Sequence, residues 1–242
     1  MNFVIPMAGR GQRFVDAGYE LPKMLIEAKG KTLLEWSVDS LPLELATRLI
    51  FVSLKEHEEQ FNLSHVILEK YNAHNPTIVV LDEVTRGQAE TVMMAKEHLN
   101  PEADLVVFNI DTYFSSSSLA RNLENNTIDG VLGTFPDPTD SSRFSYAKTN
   151  EEGIIIEVQE KVHISDNALT GLYHFKRCAD FVELAEDIIQ KGETTKGEFY
   201  IAPMYNRLIE KGHRFILDEC ENHAILGTPD ELNNFIQSDE LA

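Results

Sequence analysis

The stretch that decides the fold is residues 3–14, which read FVIPMAGRGQRF. Its first five residues are typical of an apolar strand, and this strand runs directly into a loop that contains Gly9 and Gly11. Glycines let backbone N–H groups approach a ligand closely, because no Cβ stands in the way. Consecutive N–H groups in such a loop can bind an anion. The stretch therefore predicts a phosphate-binding loop at the first strand-to-helix junction of an α/β protein.

Three cationic side chains accompany this loop. Arg10 and Arg13 lie within it, and Lys23 follows ten residues later, behind a proline. The fork of an arginine matches the geometry of phosphate oxygens, and a lysine adds a point charge. The alternative interpretation is a glycine turn with solvated basic residues. The loop has neither the Gly-Lys-Ser/Thr of a Walker A motif nor the three spaced glycines of a dinucleotide-binding fingerprint.

Composition indicates a single domain in a reducing compartment. The 242 residues suffice for one large α/β domain that covers 1–242, and no break in composition divides it. The two cysteines, Cys178 and Cys220, are far apart and suit a compartment in which thiols stay free. No apolar run approaches the roughly 18 residues needed to cross a bilayer, and no secretion signal is visible. We therefore expect a cytoplasmic protein.

The charge balance limits the class of partner. The net charge is −19, from 40 acidic and 21 basic residues. Such a field repels nucleic acid and anionic membrane surfaces, so we expect neither as a partner. It also repels an anionic small substrate unless cations are concentrated locally. The cations of the glycine loop and Lys23 supply that concentration, which favours a functional role for the loop.

Apolar strands alternate with helical segments through the first part of the chain. Strands are predicted at 3–7, 48–54, 76–81, 104–110 and 130–135, and helices at 33–41, 57–71, 88–99 and 119–124. Continuous apolar strands in this alternation argue for a parallel sheet that is covered on both faces. The predicted fold class is α/β, a Rossmann-like three-layer sandwich with a central mixed, mostly parallel sheet.

The second part of the chain has a different pattern of predicted strands and helices. It predicts a β-hairpin at 143–158, strands at 170–175, 213–217 and 223–226, and helices at 179–190, 200–211 and 229–236. We interpret residues 1–135 as a nucleotide-binding half and residues 136–242 as an acceptor-binding half of one domain. Ligands of such sheets bind beyond the carboxyl ends of the strands. The glycine loop, Gly87-Gln88 and Asp111 all follow predicted strands, so we expect them at one edge.

The glycine loop and six later motifs resemble the nucleotidyltransferases that make activated sugars. These are the sugar-1-phosphate nucleotidylyltransferases and their phosphocholine-type relatives, which have the nucleotide-diphospho-sugar transferase fold. The six motifs come in the family's order and span nearly all of the chain: Gly87-Gln88-Ala89-Glu90-Thr91-Val92, Phe108-Asn109-Ile110-Asp111, Glu160-Lys161, Thr170-Gly171-Leu172-Tyr173, Gly197-Glu198-Phe199-Tyr200 and Gly227-Thr228-Pro229-Asp230-Glu231-Leu232.

The resemblance implies a reaction in which a substrate phosphate oxygen attacks the α-phosphorus of a nucleoside triphosphate and pyrophosphate leaves. Such transfers depend on charge neutralisation and in-line positioning more than on proton transfer. It implies these roles for residues of this chain: catalysis for Arg13 and Lys23, nucleotide binding for Ala8, Gly9, Arg10, Gly11, Gly87 and Gln88, and acceptor binding for Lys161, Gly171, Glu198 and Tyr200.

Asp111 follows the strongest central strand and is predicted to bind Mg²⁺, which prefers oxygen ligands and keeps waters and phosphates in its shell. A helix cap or turn residue is the alternative. Many relatives carry a second metal-binding aspartate two residues before the glycine of the Gly-Thr-Pro motif, but here that position is Ile225. Asp111 then holds the metal with phosphates and waters, or another acid such as Asp218 or Glu221 substitutes, or the protein is a non-catalytic relative.

The resemblance also bounds the substrates. The short chain is similar to the pyrimidine-using enzymes of bacterial surface-polysaccharide pathways, so we expect CTP, UTP or dTTP and a sugar 1-phosphate or another small phosphomonoester. A metal-dependent glycosyltransferase that uses a nucleotide-sugar is the rival, although it has no need of the Arg13 and Lys23 pair. The sequence leaves the acceptor, the pathway and homo-oligomer formation open.

Overall fold

The computed structural model describes residues 1–139 and 141–238. Its strands are β1 Asn2–Pro6, β2 Glu27–Ala28, β3 Lys31–Thr32, β4 Arg48–Leu54, β5 Thr77–Leu81, β6 Leu105–Phe108, β7 Thr112–Ser115, β8 Gly130–Pro136, β9 Ser145–Thr149, β10 Ile155–Glu160, β11 Asn167–Phe175, β12 Phe215–Glu219 and β13 Asn222–Ile225. Its α-helices are α1 Gln12–Asp16, α2 Leu33–Val38, α3 Lys55–Phe61, α4 Leu63–Tyr71, α5 Gln88–Met93, α6 Leu119–Leu123, α7 Cys178–Lys191, α8 Met204–Glu210 and α9 Pro229–Gln237.

One large sheet organises these elements. Its strands follow the order β10-β9-β11-β6-β1-β4-β5, and β8 adds to β11 and in turn pairs with β12. The pairs of β1 with β4 and β6, of β4 with β5, and of β8 with β12 are parallel. Because β11 pairs antiparallel with β6, β8 and β9, it runs against most of the sheet. The prediction of a mixed, mostly parallel sheet is confirmed.

Side-chain alternation along β1 shows why the fold has three layers. Phe3, Val4 and Ile5 are all buried, but successive residues of a strand point to opposite faces. Val4 packs in a core with α5, α7 and α8. Phe3 and Ile5 pack in a second core with α2, α4 and α6. The α/β class and the coverage of both faces agree with the sequence-based expectation.

A third, smaller core lies beside the start of the chain. Phe14 of α1, Trp36 of α2 and Phe235 of α9 are buried together there. The Thr32 hydroxyl accepts from the Glu35 N–H at the start of α2, and the Glu35 carboxylate accepts from the Thr32 N–H. This reciprocal pair satisfies two backbone donors at the helix start. This core holds α9, from the end of the chain, against the glycine loop from its beginning.

Several sequence-based boundaries are wrong. The helix predicted over 57–71 is two helices that meet at Asn62, which has a left-handed φ of 50°. The sequence analysis predicts no strand over residues 112–115, yet these residues form β7 and pair antiparallel with β13. The helix predicted from residue 200 begins at Met204. These differences arise from pairing between distant segments and from single backbone dihedrals, neither of which local periodicity reports.

The structure bears on the predictions about membrane spans and about the two cysteines. Across residues 1–139 and 141–238, no helix combines the length and the apolar character that a membrane span requires. Cys178 and Cys220 are buried free thiols, as expected. The division into a nucleotide-binding and an acceptor-binding half stays a prediction, since β8 of the first half pairs with β11 and β12 of the second.

Candidate functional site

A cleft of about 1070 Å³ opens along the edge where β1 and β6 end. It is lined by twelve of the thirteen predicted site residues, which come from distant parts of the sequence: Ala8, Gly9, Gly11, Arg13, Lys23, Gly87, Gln88, Asp111, Lys161, Gly171, Glu198 and Tyr200. Segments that follow parallel strands meet at the same sheet edge. The fold therefore gathers these residues into one cavity.

The glycine loop packs closely on the segment that carries Lys23. Gly11 has a φ of +65°, and a Cβ added there would lie 3.1 Å from the Cβ of Lys23. The backbone N–H of Phe14 donates to the carbonyl of Gly11 at 2.8 Å, which starts α1. Because Phe14 is buried, the loop is anchored at its far end. A larger residue at position 11 would strain the loop and displace the lysine.

Lys23 and Asp111 form an ion pair inside the cleft. The Lys23 Nζ lies 3.6 Å from Asp111 Oδ2, and the lysine side chain is only 12% exposed whereas that of Asp111 is 42% exposed. Burial lowers the pKa of Lys23, and the Asp111 carboxylate works against that shift. A partly desolvated ammonium is a strong partner for phosphate oxygens, because little water has to be displaced from it.

Arg10 differs from the other predicted residues. Its Nε donates to Glu56 Oε1 at 3.0 Å, and its side chain is 58% exposed. The structure thus does not bring the Arg10 guanidinium into the cleft. Its backbone still belongs to the loop whose N–H groups were predicted to hold a triphosphate.

Gly87 joins the two predicted halves of the site. Its φ is +145°, and an added Cβ would lie 2.5 Å from the backbone nitrogen of Phe199. The Ala89 N–H donates to the Phe199 carbonyl at 2.9 Å, and the Phe199 N–H donates to the Arg86 carbonyl at 3.0 Å. The loop before α5 is therefore bonded directly to the loop that carries Glu198 and Tyr200.

Gln88 lies next to Asn109, a residue for which the sequence predicted no role. Its Nε2 donates to Asn109 Oδ1. The Asn109 amide packs on Gly171, where an added Cβ would lie 2.7 Å from Asn109 Nδ2. Asn109 belongs to the motif Phe108-Asn109-Ile110-Asp111, in which the sequence predicts a role only for Asp111. The Asn109 amide accepts from Gln88, and both side chains line the cleft.

Lys161 is the cation of the cleft that was predicted to bind the acceptor. Its Nζ donates to the Tyr200 hydroxyl at 2.5 Å. Burial opposes the charge on Lys161, but the bond to Tyr200 and the nearby carboxylates outweigh it and raise the pKa of the lysine. Glu160, which is 6% exposed, accepts from Ser145. Burial raises the pKa of the Glu160 carboxyl, and the Ser145 hydroxyl works against that shift.

The two acids that sequence reasoning offered in place of Ile225 lie elsewhere. Asp218 is buried and accepts from Ser118 and Asn122 at 2.6 and 2.7 Å. Glu221 accepts from the Ser117 hydroxyl. Neither Asp218 nor Glu221 lines the cleft, so neither replaces the missing aspartate there.

Glu231 is an acid of the cleft that sequence reasoning missed. It lies in the first turn of α9 and forms an ion pair with Arg143, which also lines the cleft. Glu231 belongs to the Gly-Thr-Pro motif, but an acid in the first turn of a helix is favoured by the helix dipole in any case. The sequence therefore gave no separate reason to assign Glu231 to the site.

The donor set fits a divalent cation only if the substrate takes part. Within residues 1–139 and 141–238, no three His, Cys, Asp or Glu side chains lie close enough to hold a metal ion by themselves. Asp111 presents carboxylate oxygens to the cleft, and a carboxylate with phosphates and waters is the usual shell of Mg²⁺. Glu231 Oε2, also in the cleft wall, is a buried oxygen without a hydrogen-bond partner among the described residues.

Comparison with known proteins adds to this geometry. The model of the family described as Nucleotidyl transferase matches residues 3–218. The crystal structure of a nucleoside-diphosphate-sugar pyrophosphorylase from Vibrio cholerae RC9 is 34% identical in sequence, with a TM-score of 0.82 over 98% of this chain and 100% of that one.

Two curated relatives are more distant. The UTP–glucose-1-phosphate uridylyltransferase AglF of Haloferax volcanii is 24% identical over 220 residues, which are 88% of this chain and 85% of that protein. The bifunctional protein GlmU of Methanococcus aeolicus is 24% identical over 178 residues, which are 73% of this chain. The match covers 40% of the length of that bifunctional relative.

Proposed function

Because the chain belongs to the nucleotidyl transferase family, we propose that it transfers a nucleoside monophosphate from a nucleoside triphosphate to a small phosphomonoester. The observation that carries the proposal is the cleft, which joins a cation-lined glycine loop to a separate lysine at Lys161. One cavity can therefore hold two phosphate groups in line. The alternative of a non-catalytic relative predicts binding without turnover.

The chemistry needs one bond to form and one to break. An oxygen of the acceptor phosphate attacks the α-phosphorus, the bond from that phosphorus to the bridging oxygen breaks, and pyrophosphate leaves with the electron pair. Backbone N–H groups from Ala8 to Gly11 hold the triphosphate. Arg13 stabilises the departing pyrophosphate, and Lys23 stabilises the charge on the α-phosphate. No side chain has to donate a proton.

Lys161 positions the nucleophile. Its ammonium grips the acceptor phosphate, while Gly171, Glu198 and Tyr200 line the space for the rest of the acceptor. Asp111, together with phosphate oxygens, would hold Mg²⁺, which would further neutralise the charge of the triphosphate when bound. The hydrogen bonds between the loop of Gly87 and Phe199 support this arrangement, because they fix the distance between the donor and acceptor sides.

The proposal extends to the identity of the donor and of the acceptor. We propose a pyrimidine triphosphate, CTP, UTP or dTTP, as the donor, with Gly87 and Gln88 facing the base, and a sugar 1-phosphate as the acceptor. The Haloferax relative uses UTP and glucose 1-phosphate by name, which supports this choice. The product would then serve surface-polysaccharide precursor synthesis in the cytoplasm.

A thermal-shift panel tests the donor. The protein is heated with Mg²⁺ and each of CTP, UTP, dTTP, ATP and GTP, since a ligand that binds only the native state raises the midpoint. We expect a shift with a pyrimidine triphosphate that is lost in Arg13→Ala and Lys23→Ala. Arg10→Ala is the matched control, because Arg10 lies three residues before Arg13 but its guanidinium bonds to Glu56 instead.

Pyrophosphate release against a panel of phosphomonoesters then tests transfer. We expect release with the preferred triphosphate and a sugar 1-phosphate, and loss of release in Lys161→Ala. A triphosphate that binds without any pyrophosphate release across the panel would instead favour the non-catalytic relative.

A further inference from the structure

Among the carboxylates that line the cleft with Asp111, Glu231 has one side-chain oxygen without a hydrogen-bond partner among the described residues. Glu231 is 15% exposed and directs one oxygen, Oε1, to Arg143. Its other oxygen, Oε2, is buried and has no hydrogen-bond partner among the described residues. A buried carboxylate oxygen without a partner is costly, because it has lost its water and gained no donor in return. Such an oxygen is available to a cation or a hydrogen-bond donor that a substrate brings.

The two carboxylates flank the same glycine. A Cβ added to Gly227 would lie 3.3 Å from Glu231 Oε2 and 4.0 Å from Asp111 Oδ2. The Leu226 N–H donates to the Asp111 carbonyl at 2.7 Å, so the loop before α9 is tied to the end of β6. Asp111 and Glu231 are therefore neighbours although 120 positions separate them in the sequence.

Ile225 explains why a second acid would be needed. It pairs with Thr112 in the ladder of β7 and β13, beside Asp111, and it lines the cleft. An isoleucine there cannot bind a metal. The protein thus has no carboxylate on the strand β13 at this point, but it has one on the first turn of the next helix.

We propose that Glu231 supplies the second carboxylate of the divalent-cation site, in place of the acid that Ile225 lacks. This inference rests on the proposed function. Mg²⁺ takes oxygen ligands and completes its shell with phosphates and waters. Asp111 and Glu231 supply one carboxylate each, and the triphosphate and water supply the remaining oxygens. Two protein carboxylates agree with the lack of any group of three ligands among the described residues.

Arg143 has a defined part in this arrangement. Its guanidinium neutralises Glu231 when no cation is bound, and its 60% exposed side chain can move away when the site fills. Glu231 also acts electrostatically on Lys23, so the acid belongs to the same charge network as the catalytic lysine. If Glu231 were only the partner of Arg143, removal of either side chain would have the same effect and neither would change metal binding.

Manganese binding tests the inference without turnover. Mn²⁺ is titrated by water-proton relaxation into the protein with UTP, and separately with CTP, in the absence of acceptor. Glu231→Gln should weaken Mn²⁺ binding to the nucleotide complex at least about tenfold, as loss of a coordinating or orienting group does elsewhere. Nucleotide binding in EDTA should stay within about twofold of wild type.

Three further variants make the result specific. Asp230→Asn removes the same charge from the exposed neighbouring position and should bind Mn²⁺ like wild type. Glu231→Gln combined with Ile225→Asp should recover most of the lost affinity, because it returns a carboxylate to the site. Arg143→Ala should keep or tighten Mn²⁺ binding, since it frees Glu231.

The outcomes separate this inference from the proposed function. Equal Mn²⁺ affinity of wild type and Glu231→Gln overturns the inference, and so does equal weakening by Asp230→Asn. If wild type binds UTP or CTP in EDTA and Mn²⁺ adds nothing, the proposed function stands and the inference is wrong. If wild type binds no triphosphate under any of these conditions, the proposed function itself fails.

Discussion

Gly87 combines a positive φ with close backbone neighbours, so one added methyl group there should destabilise the structure. In Gly87→Ala the new Cβ would lie 2.5 Å from the nitrogen and 2.8 Å from the carbonyl oxygen of Phe199. Both neighbours are backbone atoms, which cannot rotate out of the way as the end of a side chain can. We therefore expect the loop before α5 to separate from the loop around Phe199.

The magnitude follows from two terms. With a φ of +145° and a ψ of 174°, Gly87 lies in a backbone region that is essentially restricted to glycine and costs an L-residue about 1–3 kcal/mol. Overpacking against fixed atoms adds about 1–3 kcal/mol. The free energy of unfolding should fall by about 2–6 kcal/mol in total. At about 2–4 °C per kcal/mol for a chain of this size, the melting temperature should drop by about 4–24 °C.

Urea unfolding measures this difference. The single tryptophan, Trp36, is 7% exposed and reports the transition by fluorescence, with circular dichroism as a second probe. Gly197→Ala is the matched control, because its φ is +87° but an added Cβ meets nothing within 4 Å. It should lose about 1–2 kcal/mol from backbone strain alone. Equal losses in the two variants would refute the close contact of Gly87 with Phe199.

The remaining predictions concern charged groups of the cleft. Burial lowers the pKa of Lys23 in the folded state, so the charged lysine destabilises the fold. The free energy of unfolding should therefore rise as the pH increases through the folded pKa of Lys23. Lys23→Met should raise the free energy of unfolding at pH 7 by roughly 0.5–1 kcal/mol, and it should reduce pyrophosphate release at least about 100-fold. A lower free energy of unfolding in urea would contradict this prediction. Lys161→Ala should raise the acceptor KM about 10–100-fold, the value of a hydrogen bond to a charged group, with triphosphate Kd within about twofold. An unchanged KM in initial-rate kinetics would place the acceptor elsewhere. Burial raises the folded pKa of Glu160, so stability from this group is highest below its unfolded pKa of about 4.3 and falls as pH rises through the folded pKa. In urea unfolding between pH 4 and pH 7, Glu160→Gln should no longer show this decrease in the free energy of unfolding. If the decrease persists in the variant, another group causes it.

Local sequence was sufficient for much of the donor side. Residues 3–14 predict a buried strand and a glycine loop because apolar runs and glycines act on the backbone directly. The alternation of strands and helices predicts that the following loops share one edge, and Gly87, Gln88 and Asp111 do line one cleft. The residues predicted to bind the acceptor came from the family motifs, since nothing in the local pattern separates a lysine that lines a cleft, such as Lys161, from a solvated one.

Tertiary structure alone decided which side chains reach the cleft. Arg10 lies in the loop before α1 and Arg13 lies in the first turn of α1. The Arg10 side chain bonds to Glu56, whereas Arg13 lines the cavity. Glu231 reaches the neighbourhood of Asp111 only because α9 packs on α2 and α1 in the third core. The direction of a side chain on a loop depends on what packs against it, and those partners lie far away in the sequence. Motif and periodicity therefore identified the elements around the cleft, whereas long-range packing decided which side chains line it.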